Sequence, residues 1–112
     1  MGAFAAGQVV LVRFPFSDLT QTKLRPAVVL AAAGWDDWVL CQITSQSYGD
    51  SRAIQLETTD FARGSLRLAS WARPGRLFTA HSSLVAGQVG ELDARKLSEI
   101  RKALTLLIQT GV

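Results

Sequence analysis

A chain of 112 residues with 48% hydrophobic and 19% charged content accommodates one domain, residues 1–112, around one core, and is too apolar for a disordered segment. Its formal net charge of +3 at pH 7 favours polyanionic partners only mildly. The single cysteine, Cys41, allows no intramolecular disulfide, and with the single histidine, His81, it falls short of the three or four clustered ligands that zinc takes, so no metal or other cofactor is expected.

The first residues, Met1 to Gly7, are small and apolar, without the basic start and long apolar stretch of a secretory leader. Apolar runs such as Ala27 to Ala33 are too short to span a bilayer, and a reducing, cytoplasmic location is expected with no membrane partner. Val9 to Phe16, rich in β-branched and aromatic residues, predicts a strand, and Ser17 to Thr22 a polar loop. Pro15 can donate no ladder hydrogen bond, so that strand ends, bulges or reaches a sheet edge there.

Pro26 to Ala33 and Trp38 to Thr44 predict two buried strands joined by a short turn near Trp35. Their lack of alternation implies that both faces are covered. Cys41 falls inside the second run and reads as a small buried hydrophobe. Arg52 to Glu57 predicts a further strand, Ser65 to Arg73 an alternating one, and Leu77 to Ala80 a short one after a Pro74-Gly75 turn. The period then changes. Asp93 suits an N-cap, Leu92 and Leu97 a hydrophobic staple, Ile100, Leu104, Leu107 and Ile108 an apolar stripe, and Gly111 a C-terminal cap. The sum is a mainly β domain with a terminal helix packed on the sheet.

Two residues stand at matching strand ends. Arg25 precedes Pro26, which restricts it to extended backbone where a polar loop enters a buried strand. Thr44 lies where the next strand gives way to Ser45-Gln46-Ser47-Tyr48. If the strands pair about Trp35, the two residues become neighbours. A guanidinium beside a hydroxyl suits stabilisation of charge gathering on a phosphate that a ribose 2'-OH attacks. A surface ion pair and an ordinary strand end account for the same spacing. Lys23, Arg63, Arg67, Arg73 and Arg76 add cations that read either as a phosphate-binding face or as solvated strand faces.

Gly7-Gln8-Val9-Val10-Leu11-Val12-Arg13-Phe14-Pro15-Phe16-Ser17-Asp18, followed by Lys23-Leu24-Arg25-Pro26-Ala27-Val28-Val29-Leu30, closely resembles the amino-terminal signature of the MazF/PemK toxin family. Gln42-Ile43-Thr44-Ser45 is a second match, Gly64-Ser65-Leu66 through Ser70 and Arg73 a looser third, and Gly90-Glu91-Leu92 before the helix fits the closing segment. The resemblance implies an SH3-like β-barrel of about five to seven strands with a C-terminal α-helix. It also implies a homodimer that is neutralised by a cognate antitoxin. The implied activity is metal-independent, sequence-specific endoribonuclease cleavage of single-stranded RNA, including mRNA, to 2',3'-cyclic phosphate and 5'-hydroxyl ends. Arg25 and Thr44 fall on the family's catalytic positions, and Ser17 and Asp18 in the loop that gates its RNA groove. Lys23, Ser45, Tyr48, Ser70 and Arg73 are expected at the RNA, Tyr48 through base stacking.

The chain departs from the pattern at Gly75, where some members carry an acidic residue, and at Gln8. The base that takes the 2'-OH proton is therefore open. His81 is the titratable candidate, although it matches no catalytic position and reads rather as a structural or surface histidine. Two other functions fit the same fold, inhibition of a DNA gyrase and a non-catalytic binding module. Retention of Arg25-Pro26 and Ile43-Thr44-Ser45 is the feature that separates them from the nuclease.

Overall fold

The computed structural model describes residues 4–15, 22–47 and 49–111. In chain order it contains β1 (Gln8–Pro15), β2 (Thr22–Gly34), β3 (Asp37–Thr44), β4 (Ile54–Leu56), a single 3-10 turn (Thr58–Asp60), β5 (Phe61–Gly64), β6 (Ser70–His81), a second 3-10 turn (Ser82–Leu84), β7 (Val85–Leu92) and helix α1 (Ala94–Thr110). All pairings are antiparallel, in one seven-stranded sheet of order β4-β6-β3-β2-β1-β7-β5.

That order forces the sheet to curl. Seven strands leave six gaps, which in a flat sheet would put the edges about 29 Å apart at ~4.8 Å per gap. Yet the edge strands β4 and β5 are consecutive, and the chain from Leu56 to Phe61 reaches at most about 17 Å. The sheet is therefore bent into the half-barrel expected of the SH3-like architecture, with α1 on it.

The inside of the curl holds Val9, Val28, Leu30, Cys41, Ile43, Leu56, Ala72, Leu92 and Ile100, with Leu97 and Leu104 of α1 packed against them. The opposite face carries a second cluster, Val10, Val12, Ala27, Val29, Leu40 and Ala80, under Phe4, Trp38, Phe78 and Val85. Phe4 meets Trp38 edge-on with ring centroids 5.7 Å apart. Two covers explain why Ala27 to Leu30 show no alternation, since all four are buried. Ala31 to Ala33, part of the same apolar run, are exposed near the hairpin tip. That tip is unusual, because Trp35 (φ 58°) and Asp36 (φ 63°) both adopt the left-handed conformation of a type I' turn without a glycine at either position.

Several expectations change in the folded chain. Strand β1 is described as far as Pro15, which lies opposite Thr22, with the rest of the expected loop, 17–21, outside the described residues; its ladder with β7 stops earlier, at Val12–Val85, so no β7 carbonyl loses a donor at Pro15. Ser65 to Ala69 is not strand, and Pro74-Gly75 is no turn: β6 runs straight through it. Between Cys41–Leu77 and Ile43–Ala72 the register shifts, and Arg73 to Arg76 bulge out opposite Gln42. Strands β5 and β7 are additional to those read from the sequence. At the helix, Asp93 caps the Lys96 N–H at 2.8 Å and Gly111 closes it at φ 72°. Ile108 leaves the apolar stripe and is 71% exposed, whereas Leu107, one residue before it, still lies against Gly75 of β6. No helix among the described residues is long and apolar enough to cross a membrane.

Asp60 ties the curl together. Its carboxylate accepts from the Glu57 N–H at 2.8 Å and from Arg95 at 2.9 Å, with the Lys96 ammonium at 3.6 Å, and its carbonyl accepts from the Asp93 N–H at 2.8 Å. The turn between the edge strands is thus fastened to the start of α1. Burial pushes the Asp60 carboxyl up, but the Glu57 N–H, Arg95 and Lys96 outweigh it and hold the group below its usual range. A carboxylate whose pKa is lower folded than unfolded adds stability above the unfolded value of about 3.9, lost as pH falls through the folded value. The melting temperature should therefore drop below about pH 4, and Asp60→Asn should melt lower at pH 7 with a shallower acid decline; an unchanged acid limb would refute the assignment.

Gly64 and Gly90 face each other across β5 and β7. A Cβ on Gly64, at φ +67°, would stand 2.2 Å from the Val89 carbonyl oxygen, so the two backbones approach as only glycines permit. Gly64→Ala is expected to cost at least about 2 kcal/mol in urea unfolding, and a loss under about 0.5 kcal/mol would show that the approach relaxes freely.

Candidate active site

The β2–β3 ladder pairs Val28 with Cys41 and Ala27 with Gln42. The ladder ends at that second pair, before Pro26, which can donate no bond to it; continued for two residues, the same register aligns Arg25 with Thr44. Arg25 is itself paired with Val12 on the other side. Directly opposed residues share a face and every second residue repeats it. Lys23, Arg25, Gln42 and Thr44 therefore project from the side of the sheet that carries Ala27, Val12 and Leu40, away from the inside of the curl.

Strand β6 completes this face. Thr44 pairs with Trp71, so Trp71 and Arg73 join it. In a regular strand Arg73 and Arg76 would point to opposite sides. The bulge inserts the residues that re-aim Arg76, whose Nε donates to Gln42 Oε1 at 3.1 Å. The bulge is held from below by Pro74, fully buried, and by Cys41, whose Sγ donates to the Arg73 carbonyl at 3.2 Å. Burial pushes the Cys41 thiol up to about 12, so this sulfur is a structural donor and no nucleophile. The result is a face with four cations, Lys23, Arg25, Arg73 and Arg76, around Thr44.

Thr44 is 8% exposed. Its Oγ1 accepts the Gln46 N–H at 3.1 Å, a local turn that fixes the hydroxyl at the strand end. Such a bond uses an oxygen lone pair and leaves the O–H proton to donate. Arg25 is half-buried and Lys23 exposed. Ser45 is exposed one residue beyond β3.

The remaining expected positions divide. Ser17, Asp18 and Tyr48 lie outside the described residues. Ser70 is not brought to this face: it shares the side of Ala72, is 4% exposed, and spends its hydroxyl on the Leu68 carbonyl at 2.8 Å. The alternation placing Ser70 beside Ala72 was visible in the sequence; what was missing was which side faces inward. Arg63 also stands apart, on edge strand β5, in an ion pair with Glu91. His81 pairs with Asp37 at the far end of β3, on the order of 20 Å along the strand from Thr44. There its Nδ1 accepts the Ser83 N–H at 3.1 Å and shapes a 3-10 turn.

Asp50 is the site neighbour that sequence reasoning missed. Its Oδ2 accepts from Arg73 Nε at 2.9 Å, with side chains only 15% and 19% exposed, and its Oδ1 accepts the Arg52 N–H at 2.9 Å. The Arg73 bond, then the Arg52 N–H, holds the carboxyl below its usual range. Nothing local to Gly49-Asp50-Ser51 announces a partner in another strand. Arg76 and Gln42 were equally hidden, because a Pro-Gly pair reads as a turn and the bulge that orients them is a property of the ladder.

The family model of PemK-like, MazF-like toxins of type II toxin-antitoxin systems matches residues 5–108. Comparison with curated protein sequences gives no match. Among solved structures, the fold is similar to a MazE-MazF crystal structure (Form-II) from Deinococcus radiodurans, with TM-score 0.77 and 22% identity over 95% of this chain and 96% of that one. It is similar also to MazF (Form-I) from the same organism, with TM-score 0.72 and 25% identity over 95% and 96% of the two chains. A third is an endoribonuclease in complex with its cognate antitoxin from a mycobacterial species, with TM-score 0.73 and 15% identity over 97% and 96%. The family match runs nearly end to end, and the chain belongs to the PemK-like, MazF-like toxins of type II toxin-antitoxin systems.

Proposed function

We propose that this toxin is an endoribonuclease that cuts single-stranded RNA at specific sequences without a metal ion, with Arg25 and Thr44 as its catalytic residues. The observation that supports the reading is the β2–β3 register, which ends at Ala27–Gln42 and, carried two residues further, aligns Arg25 with Thr44 on the face that also bears Lys23 and Arg76. In the reaction the ribose 2'-oxygen bonds to phosphorus, the bond from phosphorus to the 5'-oxygen breaks, and a 2',3'-cyclic phosphate and a 5'-hydroxyl result. The 2'-OH proton leaves to a base and the departing 5'-oxygen gains one. Arg25 stabilises the charge on the phosphoryl oxygens and is the proposed proton donor to the leaving oxygen; the Thr44 O–H donates to the phosphoryl group. Lys23 and Arg76 flank the pair and suit neighbouring phosphates, and Ser45 follows Thr44 at the rim. Mycobacterial and Deinococcus relatives were solved with antitoxins, which supports a cognate antitoxin as partner here; a homodimer acting in the cytoplasm completes the proposal.

Arg25→Ala should lower the cleavage rate at least about 10²-fold while leaving the circular dichroism spectrum unchanged. Incubation of the purified protein with a long RNA in EDTA should give discrete fragments with cyclic-phosphate ends. Intact RNA would reject the nuclease and favour a binding toxin instead, and parental rates from Arg25→Ala would remove catalysis from this face.

His81 is too distant to serve as the base, and Asp50, held ionised with both oxygens engaged, is a poor one. His81→Ala is accordingly expected to cut within about twofold of the parent from pH 5 to 8. A bell-shaped parental profile that flattened in this variant would reverse that conclusion.

A further inference from the structure

The Arg73 guanidinium faces the site, yet its Nε is bound by a carboxylate from the segment that begins immediately after Thr44. Asp50 is in turn built into that segment. Its N–H donates to the Ser47 carbonyl at 2.9 Å, its carbonyl accepts the Ala53 N–H at 3.1 Å, and its Oδ1 accepts the Arg52 N–H. At the other end, Arg73 is fixed by the bulge, through the bond from Cys41 to its carbonyl. Two pieces of backbone, each held by its own hydrogen bonds, are thus joined by a charge-assisted bond between groups that are mostly out of solvent.

We infer that the Asp50–Arg73 pair is a strut that fixes Ser47 and residues 49–53 beside Thr44, and that Asp50 is a positioning residue that restricts which RNA sequences reach the catalytic pair. The inference rests on the nuclease reading. A guanidinium neutralised by Asp50 adds little net charge for phosphate, so Arg73 acts through the loop, whereas Lys23 on the same face acts on the backbone directly. The opposite arrangement, in which Asp50 merely occupies a phosphate site on Arg73 until RNA displaces it, makes contrary predictions.

The experiment compares Asp50→Asn, Arg73→Gln and the double variant with the parent, using RNA with a 2'-deoxy residue at the cut site for binding and natural RNA for mapping of cut positions. A strut predicts that all three variants cut at the same widened set of sequences. It also predicts a KM raised about tenfold, a larger effect than that on kcat, with the double variant no worse than either single one. The salt slope of binding should be unchanged in Arg73→Gln but lower by about 0.7 in Lys23→Gln. Asp50→Glu, which can re-form the ion pair, should restore the parental cut spectrum. Tighter binding by Asp50→Asn with a parental cut spectrum, or a salt slope lowered by about 0.7 in Arg73→Gln, would overturn the strut.

Amide exchange separates the two claims. The N–H groups of Arg52 and Ala53 should exchange faster in Asp50→Asn whether or not the parent cuts RNA, so unchanged exchange refutes the strut, whereas a parent that cuts no RNA refutes the nuclease. Should Asp50→Asn fail to fold, Arg73→Gln and Asp50→Glu carry the same comparison.

Discussion

The structure depends on the joining of its two edge strands by a few residues of chain. Because β4 and β5 follow one another while standing at opposite ends of the sheet order, no flat arrangement is open to this sequence. The curl then dictates the rest. It encloses the inner cluster, gives α1 a surface to cover, and leaves the outer face to be sealed by Phe4, Trp38, Phe78 and Val85. Asp60 secures the junction with bonds to both the turn and the helix, a use of a buried carboxylate that is favourable only because every oxygen has a partner.

The cationic face follows from the same sheet. The β2–β3 register, carried two residues past Ala27–Gln42, aligns Arg25 with Thr44, and a bulge brings Arg73 and Arg76 to one side of a single strand. Neither device concerns RNA in itself. Both are ladder geometry, and the chemistry proposed for the face needs only that charge and a hydroxyl be held where they are without rearrangement. Cys41 shows how closely the layers are coupled, since a sulfur counted in the inner core holds the carbonyl of an outward-facing arginine.

How much of this was legible depended on the range of the signal. The β2–β3 hairpin was readable because its two apolar runs are long, adjacent and symmetric about Trp35, and the helix because cap, staple and stripe are all local. Strand β7 was not, for Gly87 and Gly90 dilute its β-forming residues, and β5 is four residues long. Pro74-Gly75 misled for a different reason: the pair is a turn signal, and only a neighbouring strand can convert it into a bulge. Ser70 and Asp50 failed on facing and pairing, which are set by partners elsewhere in the chain.

The left-handed Trp35-Asp36 tip acts as the zero mark of a ruler. Positions along β2 and β3 are counted from it, through two irregularities between Val29 and Gly34, to the far ends that carry Arg25 and Thr44. A count altered by one would send Thr44 to the inside of the curl and set an isoleucine or a serine before the arginine. The spacing of the proposed catalytic pair is thus fixed at a place neither residue touches, and residues at the hairpin tip are constrained by number as much as by type.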